Sequence, residues 1–250
     1  MEKFSIGILS WHSTDDLITT LTSYHDNGLL YFCDDVTLYF QEINETDKAI
    51  AKHYNIKYIG TSENIGIGQA FIKLVEKAKY DKVLLLEHDW NLIEPIEIVK
   101  SRIESGLILL DSGYDCIRYR SRKNPGYPHF SIQKYQGREL EYYDPEIKLE
   151  YPHLLDSIHW LDDPDKTFPG KIGVQEINGE KYYVSSSRYG NFTNNPCLYR
   201  KKFYLDVTKP HAGSGIALEG NISYAWARAA YNVAHGEGIF RHYNPQKYGR

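Results

Sequence analysis

Cysteine is scarce in this chain. The three present, Cys33, Cys116 and Cys197, are far apart and odd in number among 250 residues, and no C-x-x-C pair occurs. Neither a disulfide framework nor a cysteine-ligated zinc site is indicated, and a reducing compartment, the cytoplasm, is the expected setting. Basic residues are not in excess either. Lys and Arg number 29 against 33 Asp and Glu, a net charge of −4, so there is no electrostatic case for a nucleic-acid partner. No apolar run approaches the roughly 18 residues of a membrane-spanning helix, and the apolar run near the N-terminus is too short for the core of a signal peptide. Tyrosine, by contrast, is abundant at 22 residues. Many lie in the second half, where they can pack an irregular core or line a stacking surface for a sugar or base.

The length suits one large α/β domain or two small ones. Apolar patterning predicts strands over 4–9, 36–40, 55–59, 83–86 and 114–120. Helices are predicted between them: about 16–24, capped by Thr14 or Asp15; from Thr46 or Asp47 to 54; 69–79; and about 96–104. Strand and helix alternate, which points to an α/β fold with a doubly wound, largely parallel sheet. After about residue 120 the composition shifts. Residues 121–195 are rich in Tyr, Pro, Gly, Asp and Lys and lack helical periodicity, with one candidate strand at 182–184. A helix is expected over 222–232, and 233–243 reads as a sheet edge or flap. Residues 1–120 and 121–250 are thus expected to be two halves of a single domain.

The run from Lys82 to Leu86 reads as a strand covered on both faces, ending abruptly in Glu87-His88-Asp89. Ligands of open α/β sheets bind at the carboxyl ends of strands. If the backbone stays extended there, Glu87 and Asp89 point the same way and His88 faces away. Two such carboxylates repel unless a proton or cation lies between them, and a hard divalent ion such as Mg²⁺ or Mn²⁺ suits their oxygens. The alternative is a pair of solvated charges at a strand end. The stretch Asn64-Ile65-Gly66-Ile67-Gly68 invites comparison with a dinucleotide fingerprint. Phe71 stands where the third glycine belongs, however, and the stretch follows the third strand rather than the first, which argues against a dehydrogenase. It remains either a tight turn needing positive φ or a helix N-terminus that approaches a nucleotide or sugar closely.

The order of these features resembles the nucleotide-binding half of a GT-A-fold glycosyltransferase, most similar to the family-2-like enzymes, over roughly residues 4–120. Ser10-Trp11-His12 ends the first strand, Glu42 follows the second, Asn64-x-Gly66 opens a helix after the third, and Glu87-x-Asp89 follows the fourth. The family typically has Asp-x-Asp at that last position. The resemblance implies that Asp89 holds a divalent metal, Mn²⁺ or Mg²⁺, bridging the donor diphosphate, with Glu87 beside it. It implies that Glu42 contacts the nucleoside, that Asn64 and Gly66 form the turn beside the donor, and that Ser10 and Trp11 wrap the base and ribose. In the second half, residues 195–200 are similar to an acceptor-side segment. Glu219 falls where inverting members place a catalytic base, with Gly220 where an acid often follows. His242 falls where several members place a late histidine on the metal, and His235 is the competing candidate.

The implied reaction is metal-dependent transfer of a hexosyl or pentosyl group from a UDP- or GDP-sugar to a hydroxyl of a glycan or glycoconjugate. Glu219 as base makes the enzyme inverting, whereas a retaining enzyme needs no such base. Read from the residues alone, Glu219 is equally an acidic residue favoured at a helix N-terminus. A nucleotidyltransferase usually carries a basic, glycine-rich loop after the first strand, and residues 10–15 contain neither Lys nor Arg. A non-catalytic carbohydrate-binding protein on a transferase fold is the other reading, against which Glu87, Asp89 and Glu219 are all retained.

Overall fold

Strand β1 (Ser5–Ser10) is buried along its whole length and pairs in parallel with a neighbour on each side, β2 (Val36–Phe40) and β4 (Lys82–Glu87). The computed structural model describes residues 2–126, 162–189, 192–213 and 218–243. Between the first strands lie α1 (Thr14–Asp26), the single turn α2 (Leu29–Phe32), α3 (Glu45–His53), β3 (Lys57–Gly60) and α4 (Ile67–Lys77). After β4 come β5 (Trp90–Leu92), α5 (Ile96–Asp111), β6 (Cys116–Arg120), the turn α6 (Pro164–Thr167), β7 (Ile172–Ile177) and β8 (Glu180–Ser186). The chain closes with β9 (Cys197–Arg200), α7 (Lys201–Thr208), α8 (Leu218–Ala229) and β10 (Asn232–His242).

One sheet joins them in the order β3-β2-β1-β4-β9-β6-β10-β8-β7, with β5 also on β10. Strands β1 to β4 are mutually parallel. Strand β9 runs antiparallel between β4 and β6, so β6 points the same way as β4, and β10 is parallel to β6. The carboxyl ends of β1, β2, β3, β4, β6 and β10 therefore share one edge. The expected α/β architecture with a mostly parallel central sheet is what forms.

The alternation along β4 explains its unbroken apolar run. Leu84 and Leu86 enter a layer with Leu17, Leu21 and Tyr24 of α1. Val83 and Leu85 enter the opposite layer with Phe71, Leu74 and Val75 of α4 and Trp226 of α8. A strand covered on both faces has no polar side to show in its sequence. Each fully buried side chain of this kind contributes about 1.5–3 kcal/mol.

Several boundaries differ from the pattern-based expectation. Ser13, not Thr14 or Asp15, is the N-cap of α1. Asn44 opens α3 through a capping box with Asp47, one turn of side-chain exchange that satisfies two orphan N–H groups. Helix α5 runs past Ser105-Gly106 to Asp111, and Gly106 leaves room within it for the Tyr119 ring of β6, which occupies the space where a side chain at 106 would stand. Helix α8 starts four residues before the expected 222, so Glu219 lies in its first turn. The segment expected as an edge or flap is instead β10, buried between β6 and β8. A bulge at Gly236-Glu237-Gly238 breaks its alternation, which removed the strand signal. The expected strand at 182–184 lies within β8, whereas residues 127–161 and 190–191 of the irregular stretch lie outside the described residues. Among the described residues no helix is long and apolar enough to cross a membrane.

The amino-terminal edge of the sheet is tied by Asp35, which is buried. Its carboxylate pairs with Lys57 Nζ at 3.0 Å and accepts the Lys79 backbone N–H at 2.8 Å. Burial pushes the Asp35 carboxyl up, but the Ser5 hydroxyl, the Lys79 N–H and Lys57 outweigh it and hold the group below its ordinary value of 3.8. A depressed carboxyl contributes stability above its ordinary value and loses it as pH falls through the lower folded value. Asp35→Asn is therefore expected to cost about 1–3 kcal/mol at neutral pH, or roughly 2–4 °C in Tm per kcal/mol for a chain of this size. The gap to wild type should narrow on titration to about pH 3, below the ordinary carboxylate range. Thermal unfolding followed by circular dichroism at both pH values checks this, and equal Tm values at neutral pH contradict it.

Candidate active site

Strand β4 ends at Glu87 and the chain turns through His88 and Asp89. It then enters β5, which pairs antiparallel with the end of β10 in the register Trp90↔His242 and Asn91↔Arg241. That pairing brings Asp89 against a residue 153 positions away: the His242 Nε2 and Asp89 Oδ2 atoms are 3.0 Å apart. Both side chains are nearly enclosed, at 7% exposure for Asp89 and 10% for His242. Main-chain bonds pin the same spot. The Tyr243 N–H donates to the Asp89 carbonyl at 2.7 Å and the His242 N–H to the Pro125 carbonyl at 3.1 Å. The Trp90 ring lies 4.7 Å from the His242 ring, and the Tyr24 hydroxyl donates to the Trp90 carbonyl at 2.6 Å.

The turn separates Glu87 from Asp89. The extended backbone on which the side-by-side arrangement depended ends at Glu87. Burial holds the hydroxyls of Tyr24 and Tyr204 well above the ordinary 10.0; Asp89 adds to the effect at Tyr24 and Glu87 adds to it at Tyr204. Tyr24 belongs to the α1 side of the sheet and Tyr204 to the α4–α7 side. Among the described residues no group of three or more His, Cys, Asp or Glu side chains converges on one point. Asp89 and His242 stand as a pair. Their donor atoms, 3.0 Å apart, match neighbouring corners of an octahedron whose metal–ligand bonds are about 2.0–2.1 Å, which lie about 3 Å apart. The chemistry of the pair therefore fits a divalent ion completed by water or by phosphate oxygens.

On the other side of β4, the ends of β1 and β2 carry a second cluster. Ser10 is buried, and its carbonyl accepts the Gln41 N–H at 3.1 Å. The Trp11 Nε1–H donates to Glu42 Oε2 at 2.6 Å, and His12 Nε2 meets the same oxygen at 2.6 Å. These two bonds, the Trp11 one foremost, hold the Glu42 carboxyl below its ordinary value of 4.5. His12 and Glu42 both have left-handed backbone, with φ of 48° and 54°, a conformation that costs about 1–3 kcal/mol for a residue with a Cβ. Trp11 is no core aromatic: it is 43% exposed, held by the edge of its indole.

The Asn64-x-Gly66 turn lies next to this cluster. Asn64 Oδ1 accepts the Gly66 N–H at 2.8 Å, and Gln41 Oε1 accepts the Ile65 N–H at 2.9 Å. Gly66, at φ 83° and ψ 152°, is the N-cap of α4, a backbone that glycine adopts without penalty. Gly68 has a different reason: a Cβ there would press on Ala212 and Leu218.

Glu219 is exposed in the first turn of α8, and its Oε1 accepts the Asn194 N–H at 2.6 Å. Asn194 leads into β9, whose Cys197 pairs with Leu85 near the end of β4, so Glu219 belongs to the same edge of the sheet as Asp89. The competing histidine, His235, and a further carboxylate of the second half, Asp206, have other partners. His235 is buried mid-strand with Nε2 3.1 Å from the Arg120 carbonyl. Asp206 pairs with Lys202 and neighbours Tyr231, just before β10 begins at the opposite edge. Gln41, Trp90 and Arg120 carry no separate signal in the sequence. Only the position of Trp90, directly after Asp89, was available as a signal.

No protein-family model matches this chain, and no curated protein does. Solved structures are similar in fold. S. aureus TarS 1–349 superposes with a TM-score of 0.54 at 13% identity, over 99% of this chain and 62% of that one. A mycobacterial protein gives a TM-score of 0.51 at 12% identity, over 96% of this chain and 68% of that one. Glucosyl-3-phosphoglycerate synthase from Mycobacterium tuberculosis, in complex with Mn²⁺ and UDP-glucose, gives 0.50 at 11% identity, over 96% and 72%. With its parallel half and its reversed β9, this chain has the GT-A type of glycosyltransferase fold.

Proposed function

We propose that this protein is a glycosyltransferase that moves a hexosyl or pentosyl group from a nucleoside-diphosphate sugar to a hydroxyl of a glycan or glycoconjugate, acting in the cytoplasm. The observation that carries the proposal is the enclosed Asp89–His242 pair, whose donor atoms are 3.0 Å apart at the carboxyl edge of the sheet. Asp89 and His242 would hold Mn²⁺ or Mg²⁺, and the imidazole nitrogen favours Mn²⁺, since Mg²⁺ is more demanding of oxygen octahedra. Bound there, the ion supplies Lewis-acid neutralisation of the leaving diphosphate.

The remaining roles fall to the chain's own groups. Trp11 offers its exposed ring to the base, its indole edge anchored on Glu42. Glu42, kept ionised by Trp11 and His12, is an acceptor for ribose hydroxyls. Ser10 backs this loop, the Asn64–Gly66 turn brings backbone close to the donor, and Glu87, the last residue of β4, stands beside the donor site. Glu219 takes the proton from the acceptor hydroxyl as the sugar transfers, which makes the reaction inverting. A nucleotidyltransferase fits less well, because residues 10–15 offer neither Lys nor Arg to a triphosphate.

UDP-glucose is the first donor to test, since the synthase structure of like fold holds it with Mn²⁺. UDP or GDP is expected to raise the Tm, and more so with Mn²⁺ or Mg²⁺; ligand at 100 times its Kd adds about 2.7 kcal/mol by mass action. Asp89→Asn should keep the fold and lose the metal-dependent increment. An unchanged metal response in that variant removes Asp89 from the site.

Glu219→Gln is nearly isosteric and tests basicity rather than packing. Turnover is expected to fall by about 10²–10⁴-fold, with donor binding measured by calorimetry nearly unchanged. Near-normal transfer would exclude Glu219 as base and favour a retaining course.

A further inference from the structure

The Asp89–His242 pair has a support that neither residue supplies. Arg120, the last residue of β6, is buried. Its guanidinium carbon lies 5.3 Å from the centre of the Trp90 ring, and Trp90 is the aromatic against which the His242 ring rests. The same guanidinium donates through Nε to the Pro125 carbonyl at 3.0 Å and through Nη2 to the Gly126 carbonyl at 3.4 Å. The Pro125 carbonyl also accepts the His242 N–H. Gly126, at φ 72°, bridges to His242 main chain to main chain, and a Cβ at 126 would collide with the His242 backbone. One cation thus touches both elements that fix His242: the ring it rests on and the strand segment it hydrogen-bonds.

Only a planar fork can do both at once. Arginine stacks on an aromatic face while its N–H groups remain aimed in the plane, whereas a lysine ammonium is a point charge without that geometry. Groups behind a metal ligand set its orientation, and their loss typically lowers metal affinity by about 10–100-fold.

We propose that Arg120 is a positioning residue for the metal site: by clamping Trp90 and the Pro125–Gly126 carbonyls, it holds the His242 imidazole against Asp89. The inference rests on the assignment of Asp89 and His242 as metal ligands. In Arg120→Lys the charge remains and the fork is lost, so His242 loses its orientation while Asp89 stays.

The test is Mn²⁺ binding by the full chain with UDP present, read from the electron paramagnetic resonance signal of free Mn²⁺, alongside the Tm. Arg120→Lys is expected to weaken Mn²⁺ binding by about 10–100-fold. Trp90→Phe, which keeps a weaker aromatic platform, is expected to give a smaller loss in the same direction, and it decides the matter should Arg120→Lys not fold. Gly126→Ala should weaken binding as Arg120→Lys does. A lower Tm with wild-type Mn²⁺ affinity in these variants, while Asp89→Asn loses the metal, overturns the positioning role and leaves the site standing. Wild-type affinity in Asp89→Asn overturns both.

Discussion

The Asp89–His242 end of the sheet's carboxyl edge depends on one strand pairing, that of β10 with β5. The strand β10 first runs parallel to β6, with His235 opposite Arg118, and later places Phe240 opposite Arg120. It advances five residues while its neighbour advances two, and the excess is taken up in the Gly236–Gly238 bulge. Gly238, at φ 74°, packs on the Arg120 carbonyl where a Cβ would not fit. A slip of one residue turns every side chain to the other face of a strand. Without the bulge, His242 would not reach Asp89, and the enclosed pair of donors would not exist.

Two left-handed residues meet a carboxylate at the same edge. The left-handed residues His12 and Glu42 follow β1 and β2 and bond to each other through a carboxylate that also holds Trp11. Each would relax if its partner were removed, so the two loops hold one another in shape before any ligand arrives. Such prearrangement lowers the ordering cost of binding. The opposite edge is arranged for stability instead: Asp35 gathers Lys57 and Lys79 there, and Lys82 is buried between Glu2 and Asp111.

Much of the first half could be read in the sequence because its signals are local. Apolar runs and the Asn64-x-Gly66 turn each act within a few residues, and they mark β1, β2, β4 and α4 closely. The second half could not be read in this way. Strand β10 hides behind two glycines and a bulge, so its alternation fails where it matters. The side-by-side placement of Glu87 and Asp89 depends on an extended backbone, and the chain turns at His88 on its way into β5, which pairs with a distant segment. The contact between His242 and Asp89 has no local signal, since nothing near residue 242 marks it. Trp90, Arg120 and Gly126 act through contacts that span the sheet, and no spacing in the chain announces them.

Whether Asp89 and His242 together hold the cation that meets a donor diphosphate can be read from anomalous X-ray scattering at the manganese edge, from crystals of the full chain grown with Mn²⁺ and UDP. One strong peak bonded to both Asp89 Oδ2 and His242 Nε2 is expected, with the diphosphate oxygens on its open side and the uracil beside Trp11. A peak held by Glu87 without His242, or UDP bound with no metal at this edge, would contradict it.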